Sequence, residues 1–371
     1  MKNKQLSPIG GGSSQSQRVI GLDLLRISLA FLIFMFHSRI HVLKCDYWLL
    51  NDFVSMGAIA MTGFFMLSGY ALILSTQKTN MSDAKEIRKF YLKRLISILP
   101  LYYAWALLNV IINVVFKGAH AAIEELMLFP IETLGLQSIF STLFPYSHNG
   151  GSWFISCILI CYFVFPLLQT LTKGLTDKGR LALIAMLSGI LLWSPIIQHY
   201  FHTTGIYTNP FFRAFEFIIG MLICQLNVKQ NLESKMLEII RTPYTCILTC
   251  CLLVAGVSIA YRLGIPGDYM LYSWIALPCF MSLLVSLGYL RFERLQGSKS
   301  IQYLSALSFS IFLSQLVAVW HSVRIAMEYI GCSSNIANII LSAFICFCLA
   351  NCFHYFIEKP STKYLKAKLL N

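Results

Sequence analysis

The chain of 371 residues is too apolar for a soluble protein, with 57% hydrophobic residues, 12% charged residues and a mean hydropathy of +0.67. Its net charge of +13 does not indicate nucleic-acid binding, because most of the 29 Lys and Arg residues lie on one side of the predicted membrane spans. The composition therefore predicts an all-α, polytopic integral membrane helical bundle.

Hydrophobic runs recur along the whole chain, and about ten of them are predicted to be transmembrane helices. Basic residues cluster in both tails and in alternate loops, so the positive-inside rule predicts that both termini are cytoplasmic. The predicted organisation is a disordered tail at 1–18, a membrane domain at 19–360 and a cytoplasmic tail at 361–371. Pro360 is predicted to stop the last helix. The predicted spans are 19–43, 53–76, 92–116, 152–172, 181–200, 211–226, 243–262, 270–290, 302–323 and 335–357.

The first predicted span contains LDLLRISLAFLIFMFHSRIH at 22–41 and carries a polar stripe. Arg26 and His37 lie eleven residues apart, so they share one helix face and are separated by about 16 Å along the axis. His41 shares that face one turn further on, and Asp23, three residues before Arg26, can neutralise its charge. Ionisable side chains are costly inside a bilayer. The stripe indicates either a functional site or a buried ion pair with a structural histidine.

Two stretches near the predicted cytoplasmic side also carry polar residues. In GFFMLSGY at 63–70, the hydroxyl of Ser68 either bonds to a neighbouring helix or lines a cavity. In KEIRKFYLKRLISILPLYY at 85–103, Lys93 and Arg94 belong to a basic cluster interleaved with aromatic residues. Such a cluster is typical of a positive-inside anchor, and it also suits a phosphate-bearing ligand.

On the predicted outer side, three residues are candidates for binding. Trp153 follows the long loop 117–151, at an interface where Trp is common in any case. Arg213 and Glu216 are three residues apart in the sixth span and can pair, either as structural glue or as part of a polar cavity. The loop segment around 124–140 is too polar to cross the membrane and is predicted to form a short interfacial helix.

The cysteines show no metal-ligand spacing. Most of the 12 cysteines fall within spans, where Cys behaves as a small hydrophobic residue, and we expect no metal. Cys45 and Cys332 both lie near the predicted outer side. A disulfide between them is therefore one further hypothesis.

Taken together, these stretches resemble the acyltransferase type 3 family, which consists of membrane-embedded bacterial enzymes that mostly O-acetylate sugars of surface glycans. The resemblance covers about residues 19 to 360 and rests on several motifs in the expected order. They are Arg26 and His37 in the first span, FFMLSGY at 64–70, FYLKRLISILPLYY at 90–103, SWFISCILICYFVFPLL at 152–168, FRAFEFIIGM at 212–221, LSFSIFLSQL at 307–316 and IEKP at 357–360.

The resemblance implies an O-acyltransferase in the bacterial plasma (inner) membrane. It would transfer an acyl group, most often acetyl, from cytosolic acetyl-CoA to a hydroxyl of a surface or lipid-linked glycan. Arg26 would orient the donor, and His37 would act as general base or as acyl carrier. The implied partners are the glycan, acyl-CoA and the lipid bilayer, with no nucleic acid.

The resemblance also implies two sets of binding residues on opposite sides of the membrane. The predicted donor-binding residues on the cytoplasmic side are Lys93, Arg94 and Ser68. The predicted acceptor-binding residues on the outer side are Trp153, Arg213, Glu216 and His41.

The chain departs from the family pattern at several positions. Ser97 stands where the family often has a second arginine, and Gln315 stands where a histidine is common. Phe309 and Phe312 replace neighbouring tyrosines. These departures leave open the phosphate contacts and any role for the ninth span.

Two other functions remain as alternatives, namely a transporter or flippase of lipid-linked saccharides and an inactive family member that acts as an assembly partner. A flippase is expected to line a wide path with several cations. When Arg39, Lys93, Arg94 and Arg262 at the span ends are counted with the flanking loops, Arg26 and Arg213 are the two cations left inside predicted spans, at opposite ends, which favours a small reaction site.

Overall fold

The computed structural model describes residues 18–40, 45–140, 151–201, 206–228, 235–265, 270–315, 318–331 and 333–370. These ranges form an all-helical bundle and contain no strand, which confirms the predicted all-α fold. The α-helices in chain order are α1 (Ile20–Ile40), α2 (Asn51–Ser55), α3 (Ala60–Thr76), α4 (Ala84–Lys117), α5 (Ala119–Thr133), α6 (Ser152–Lys173), α7 (Asp177–Phe201), α8 (Pro210–Val228), α9 (Lys235–Ile240), α10 (Pro243–Arg262), α11 (Met270–Tyr289), α12 (Lys299–Ser314), α13 (Ala318–Ile330), α14 (Asn335–Phe353) and α15 (Lys359–Leu369).

Eight helical segments within the described ranges are long and apolar enough to cross a membrane. They lie in α1, α3, α4, α6, α7, α8 and α10 and in the run from α14 through α15, and they support a multi-pass membrane protein. The predicted eighth span corresponds to α11, which is a shorter apolar helix over Ser273–Tyr289. The predicted ninth span at 302–323 is divided, because α12 ends at Ser314 and α13 begins at Ala318.

The loop before α6 does contain the predicted extra helix. This helix, α5, runs from Ala119 to Thr133 and therefore starts and ends earlier than predicted. The hydroxyl of Tyr103 in α4 donates to the carbonyl oxygen of Thr133 at 2.7 Å. The bond ties the end of α5 to the C-terminal half of α4.

The C-terminal end differs from the prediction at Pro360, where the last span was expected to stop. The chain instead passes through a π-helical turn at His354–Glu358 into α15, and Pro360 lies in the first turn of α15. Proline is tolerated there because the first N–H groups of a helix have no partner within the helix. The tail predicted at 361–371 is therefore helical as far as Leu369.

Several predictions concern residues outside the described ranges. These residues are 1–17 of the predicted N-terminal tail, His41 of the polar stripe and Cys332 of the hypothetical disulfide. Cys45 is buried and forms no disulfide with any described cysteine.

Helices α3 and α8 pack with their backbones in close contact. A Cβ atom on Gly69 would lie 2.0 Å from the carbonyl oxygen of Phe217, and one on Gly220 would lie 1.9 Å from the carbonyl oxygen of Met66. Both distances are far below van der Waals contact. Only glycine allows the two backbones to approach this closely, as is common between helices in membranes.

Side-chain contacts give the relative directions of α4 and α6. The Tyr91 hydroxyl donates to the carbonyl oxygen of Phe163 at 2.7 Å. Further along α4, Tyr102 is joined to the start of α6 by Gln137, which lies after α5. The Gln137 amide donates both to the Tyr102 hydroxyl (3.4 Å) and to the carbonyl oxygen of Ser152 (2.8 Å). As α4 advances, its partners on α6 move backward, so the two helices are antiparallel.

Five helices make a closed ring of contacts. Helix α1 packs against α3 and α12, α12 packs against α4, and α4 packs against α6. Phe154, at the start of α6, closes the ring through edge-to-face contacts with Phe312 of α12 (5.2 Å between centroids) and Phe65 of α3 (5.1 Å). The polar stripe of α1 belongs to this ring.

We predict that Gly220→Ala destabilises the protein by about 1–3 kcal/mol, because the new methyl group overlaps the α3 backbone. The matched control is Gly189→Ala in α7, where a Cβ meets no atom within 4 Å. Equilibrium unfolding by SDS in mixed micelles measures both free energies. Equal effects of the two substitutions would show that the α3–α8 contact is not tight.

Candidate active site

Arg26 lies in a polar cluster that joins α1 to α12. Its Nη1 atom donates to the Ser305 hydroxyl at 3.2 Å and lies 3.6 Å from Asp23 Oδ1. The Ser305 hydroxyl donates to Asp23 Oδ1 at 2.6 Å, and Arg18 forms an additional ion pair with Asp23. The predicted neutralisation of Arg26 by Asp23 is confirmed, and the cluster holds the guanidinium at a defined position.

Arg94 of α4 is the second arginine in this region of the ring. Tyr162 of α6 lies within electrostatic range of both Arg94 and Arg26. The Arg94 guanidinium stacks over the Phe90 ring at 5.6 Å. Its buried Nε atom has no hydrogen-bond partner among the described residues. The structure therefore brings the two predicted donor-side arginines to one tyrosine.

A cleft of about 740 Å³ opens beside Arg94, between α4 and α6. The segment that follows α5 and the start of α8 close it at one end. Its walls are mostly apolar, and Arg94 contributes the cationic group. Six of the lining residues are Tyr91, Arg94, Leu95, Leu159, Tyr162 and Phe163.

The two other predicted donor-side residues differ in their surroundings. Lys93 is exposed on α4, next to Arg94. Ser68 is half-buried, and its hydroxyl donates to the Phe64 carbonyl oxygen of its own helix at 2.7 Å. Ser68 therefore offers a ligand only the lone pairs of its oxygen.

His37 lies on α1, three turns beyond Arg26, and its side chain is half-buried. The α-helix is continuous from Ile20 to Ile40, so the predicted axial separation of about 16 Å from Arg26 holds. The neighbouring Ser38 hydroxyl contacts the Tyr47 hydroxyl at 2.6 Å. Burial raises the pKa of Tyr47 to about 12, so this phenol stays protonated and fixes the end of α1 at neutral pH.

Arg213 and Glu216 form a fully buried ion pair in α8, with side-chain exposures of 0% and 1%. Arg213 Nη1 lies 2.7 Å from Glu216 Oε2, which confirms the predicted i, i+3 pairing. The Thr62 hydroxyl of α3 donates to Glu216 Oε1 at 2.9 Å, and Arg213 Nε donates to the Tyr207 carbonyl oxygen at 2.7 Å. The pair links α8 to α3 and to the turn before α8.

Aromatic rings enclose this ion pair. The Arg213 guanidinium carbon lies 4.6 Å from the Tyr207 ring centroid and 5.5 Å from the centroids of Phe65 and Trp153. Trp153 is buried, and the Ser138 hydroxyl donates to its carbonyl oxygen at 2.8 Å. The structure thus brings three predicted acceptor-side residues together, inside the bundle rather than at an open mouth. Their contact with an acceptor stays a prediction.

Sequence reasoning did not single out several residues of this region. Ser305 completes the Arg26 cluster, Tyr162 faces both arginines, and Thr62 bonds to Glu216. Only Ser305 left a signal, because it belongs to a run of serines at helical spacing in LSALSFS. The others look like ordinary residues of apolar helices.

An all-helical bundle with membrane-length helices and charged side chains in its interior defines a multi-pass membrane protein with an intramembrane polar site. The profile of the acyltransferase type 3 family, described as an acyltransferase domain, matches residues 19–361. The chain therefore belongs to this family, which supports an acyltransferase activity. No curated protein and no solved structure matches the chain.

We predict that Arg213→Met lowers the free energy of unfolding by about 3–5 kcal/mol, because it leaves the Glu216 carboxylate buried without its counter-ion. The matched control is Arg262→Met, which removes an ion pair to Asp52 from an arginine side chain that is 71% exposed. This control should change stability by no more than about 1 kcal/mol. SDS unfolding in mixed micelles measures both, and a similar loss in the two variants would contradict the argument.

Proposed function

We propose that the protein is an O-acyltransferase that moves an acyl group, acetyl in the simplest case, from cytosolic acyl-CoA to a hydroxyl of a surface or lipid-linked glycan. The family match over residues 19–361 carries this proposal, together with the Arg26–His37 stripe of α1. The proposed location is the plasma (inner) membrane of a bacterium. The proposed reaction uses no metal.

The donor enters from the basic, cytoplasmic side in this proposal. Its phosphates bind near Lys93 and Arg94, since clustered cations suit phosphate groups. The free Nε atom of Arg94 and the cleft beside it support this placement. The pantetheine arm then extends past Ser68 and Arg26 towards His37, and Arg26 orients the donor.

His37 acts on the acceptor about three helical turns further out. As general base it takes the proton of the acceptor hydroxyl while that oxygen attacks the thioester carbonyl. The ester C–O bond forms, the C–S bond breaks, and the proton passes from His37 to the departing thiolate of CoA. Imidazole suits this task because its unperturbed pKa of about 6.5 lets it accept and return a proton near neutral pH.

A covalent route through His37 is the second version of the mechanism. The imidazole nitrogen attacks the thioester, CoA leaves, and the acyl-imidazole then transfers its acyl group to the acceptor hydroxyl. Incubation with ¹⁴C-acetyl-CoA without acceptor distinguishes the two versions. The covalent route leaves label on the protein, and this label is absent from His37→Ala.

The acceptor approaches from the outer side in this proposal, where Trp153, Arg213, Glu216 and His41 are the proposed acceptor-side residues. The enclosure of Arg213 and Glu216 supports an indirect contribution, in which the ion pair holds the wall of α8 and α3 in position. The same enclosure speaks against the flippase alternative. Arg213 is neutralised inside an aromatic cage and therefore does not line a path for an anionic substrate.

We predict that His37→Ala and Arg26→Ala each remove acyl esters from the surface glycans. Loss of a general base lowers a rate by about 10²- to 10⁴-fold, so His37→Ala should leave no detectable esters. Cells that lack the native protein would carry each variant at matched membrane levels, and NMR of the extracted glycans would measure the O-acetyl content. His120→Ala serves as the control, because this histidine is exposed in the loop helix α5.

The outcomes of this experiment are distinct. Loss of esters in both stripe variants but not in His120→Ala supports the proposal. Unchanged esters with reduced export of glycan support a transporter instead. If both stripe variants match the wild type in both measurements, then the polar stripe is structural and the proposal is wrong.

We predict that Arg94→Gln raises the KM for acetyl-CoA about tenfold, because a charge-assisted bond to phosphate is lost. The control is Lys178→Gln, which removes an exposed cation at the start of α7, on the same predicted side of the membrane. Initial rates of CoA release by the purified protein measure both values. An equal rise in the two variants would indicate a general surface-charge effect rather than a phosphate site at Arg94.

A further inference from the structure

Two buried side chains in the C-terminal half of α4 carry polar atoms that have no hydrogen-bond partner among the described residues, although the Trp105 ring stacks on the Phe353 ring at 4.0 Å. Trp105 and Asn109 lie one turn apart, and each is 1% exposed. The indole Nε1 of Trp105 and both amide atoms of Asn109 have no hydrogen-bond partner among the described residues. A buried polar group without a partner is unfavourable and rare, so these atoms need an explanation.

Other buried side-chain atoms also lack a hydrogen-bond partner among the described residues, among them Gln137 Oε1 and Gln169 Oε1. In these two side chains the amide nitrogen is paired, and that of Gln169 donates to the carbonyl oxygen of Thr76 at 3.1 Å. Asn109 differs from them, because neither its amide nitrogen nor its amide oxygen has a partner there. With the indole nitrogen of Trp105, three unpaired atoms lie within one turn of α4.

That turn of α4 lies near the depth of His37. Arg26 and Arg94 both lie within electrostatic range of Tyr162, which places them in the same region of the bundle. His37 follows Arg26 by eleven residues on α1, and Trp105 follows Arg94 by eleven residues on α4. Because α1 and α4 run in the same direction through the bundle, both residues lie about 16 Å further out.

A third buried group without a partner occurs on α12, the helix that packs against both α1 and α4. Gln315 caps the end of α12 and is 1% exposed. Its Nε2 atom donates to the Phe312 carbonyl oxygen at 3.2 Å, but its Oε1 atom has no partner among the described residues. Gln315 follows Ser305, the partner of Arg26, by ten residues, so it also lies near the depth of His37.

The chemistry of these groups points to a neutral ligand that both donates and accepts hydrogen bonds. Trp105 offers a donor, Asn109 offers donors and an acceptor, and the free oxygen of Gln315 offers an acceptor. None of the three carries a charge, so they do not suit the phosphates of CoA. A sugar hydroxyl matches them, since each hydroxyl both donates and accepts.

We propose that Trp105, Asn109 and Gln315 form a subsite that binds hydroxyl groups of a neutral sugar or other polyol acceptor beside His37. This inference takes the presence of an acceptor from the proposed function, but it is argued from residues to which the proposed function gives no role. Sites built to bond a hydroxyl discriminate strongly against ligands that lack it, because their buried groups are then left unpaired. The three residues would therefore help to select the acceptor.

The test uses the full-length protein in nanodiscs, with ¹⁴C-acetyl-CoA as donor. The acceptor probe is the host's envelope glycan, de-O-acetylated with mild alkali. Trp105→Phe and Asn109→Leu should each raise the KM for this glycan about 5- to 20-fold and leave the KM for acetyl-CoA unchanged. Trp274→Phe is the matched control, because it removes the same N–H group from an indole that is already paired.

Stability separates a binding role from a structural one. Asn109→Leu removes an unpaired buried amide, so its midpoint of unfolding should equal or exceed that of the wild type. A lower midpoint with an unchanged KM for the glycan would assign Asn109 to packing and overturn the proposal. Unchanged stability and unchanged KM values in both variants would indicate that buried water satisfies these groups, which would also overturn it.

Binding of the glycan in the absence of acetyl-CoA tests the subsite independently of acyl transfer. The glycan should raise the thermal midpoint of the wild type and of Trp274→Phe, but not that of Trp105→Phe or Asn109→Leu. If the wild type transfers no acetyl group yet shows this pattern, then the proposed function fails and the subsite stands. If the glycan does not raise the midpoint of the wild type, then the subsite is wrong.

Discussion

In hydrocarbon, a charged side chain must find its counter-charge within the protein, and this constraint organises the bundle around two arginines. Arg213 is paired with Glu216 and enclosed by aromatic rings, so it joins α8 to α3 as a fixed structural element. Arg26 is only half-buried, and the described residues engage only its Nη1 atom, at Asp23 and Ser305. Its other N–H groups remain available to a ligand. One physical requirement thus yields a structural arginine and a candidate functional arginine.

The polar groups of the ring lie in two layers. The layer nearer the predicted cytoplasmic side contains Arg26, Arg94 and Tyr162. The outer layer contains His37 and, about 16 Å from the first layer, Trp105. Apolar contacts such as that between Phe154 and Phe312 hold the ring together around them. The first layer carries two arginines and the second does not, so the two layers differ in chemistry, as the proposed reaction with one donor and one acceptor requires.

The pairs that sequence reasoning predicted are local ones. Arg26 with Asp23 and Arg213 with Glu216 are separated by three residues, and helix geometry alone brings such residues together. The contacts that it missed join distant parts of the chain, as Ser305 does with Arg26. The prediction for the end of the last span was wrong for a different reason. Pro360 was predicted to end the helix, but a π-helical turn precedes it and a new α-helix begins at Lys359. A proline fits the first turn of that helix.

The sequence by itself determined the membrane class, the helical fold and the family, because hydropathy and ordered motifs act through composition and local spacing. It also placed Arg26 and His37 on one face of α1, since a continuous helix has a fixed period. Only the tertiary structure decided that Arg213 is enclosed, that Arg94 and Arg26 both lie within electrostatic range of Tyr162, and that the indole nitrogen of Trp105 has no hydrogen-bond partner among the described residues. Enclosure and pairing depend on which helices become neighbours, and packing between distant segments decides that.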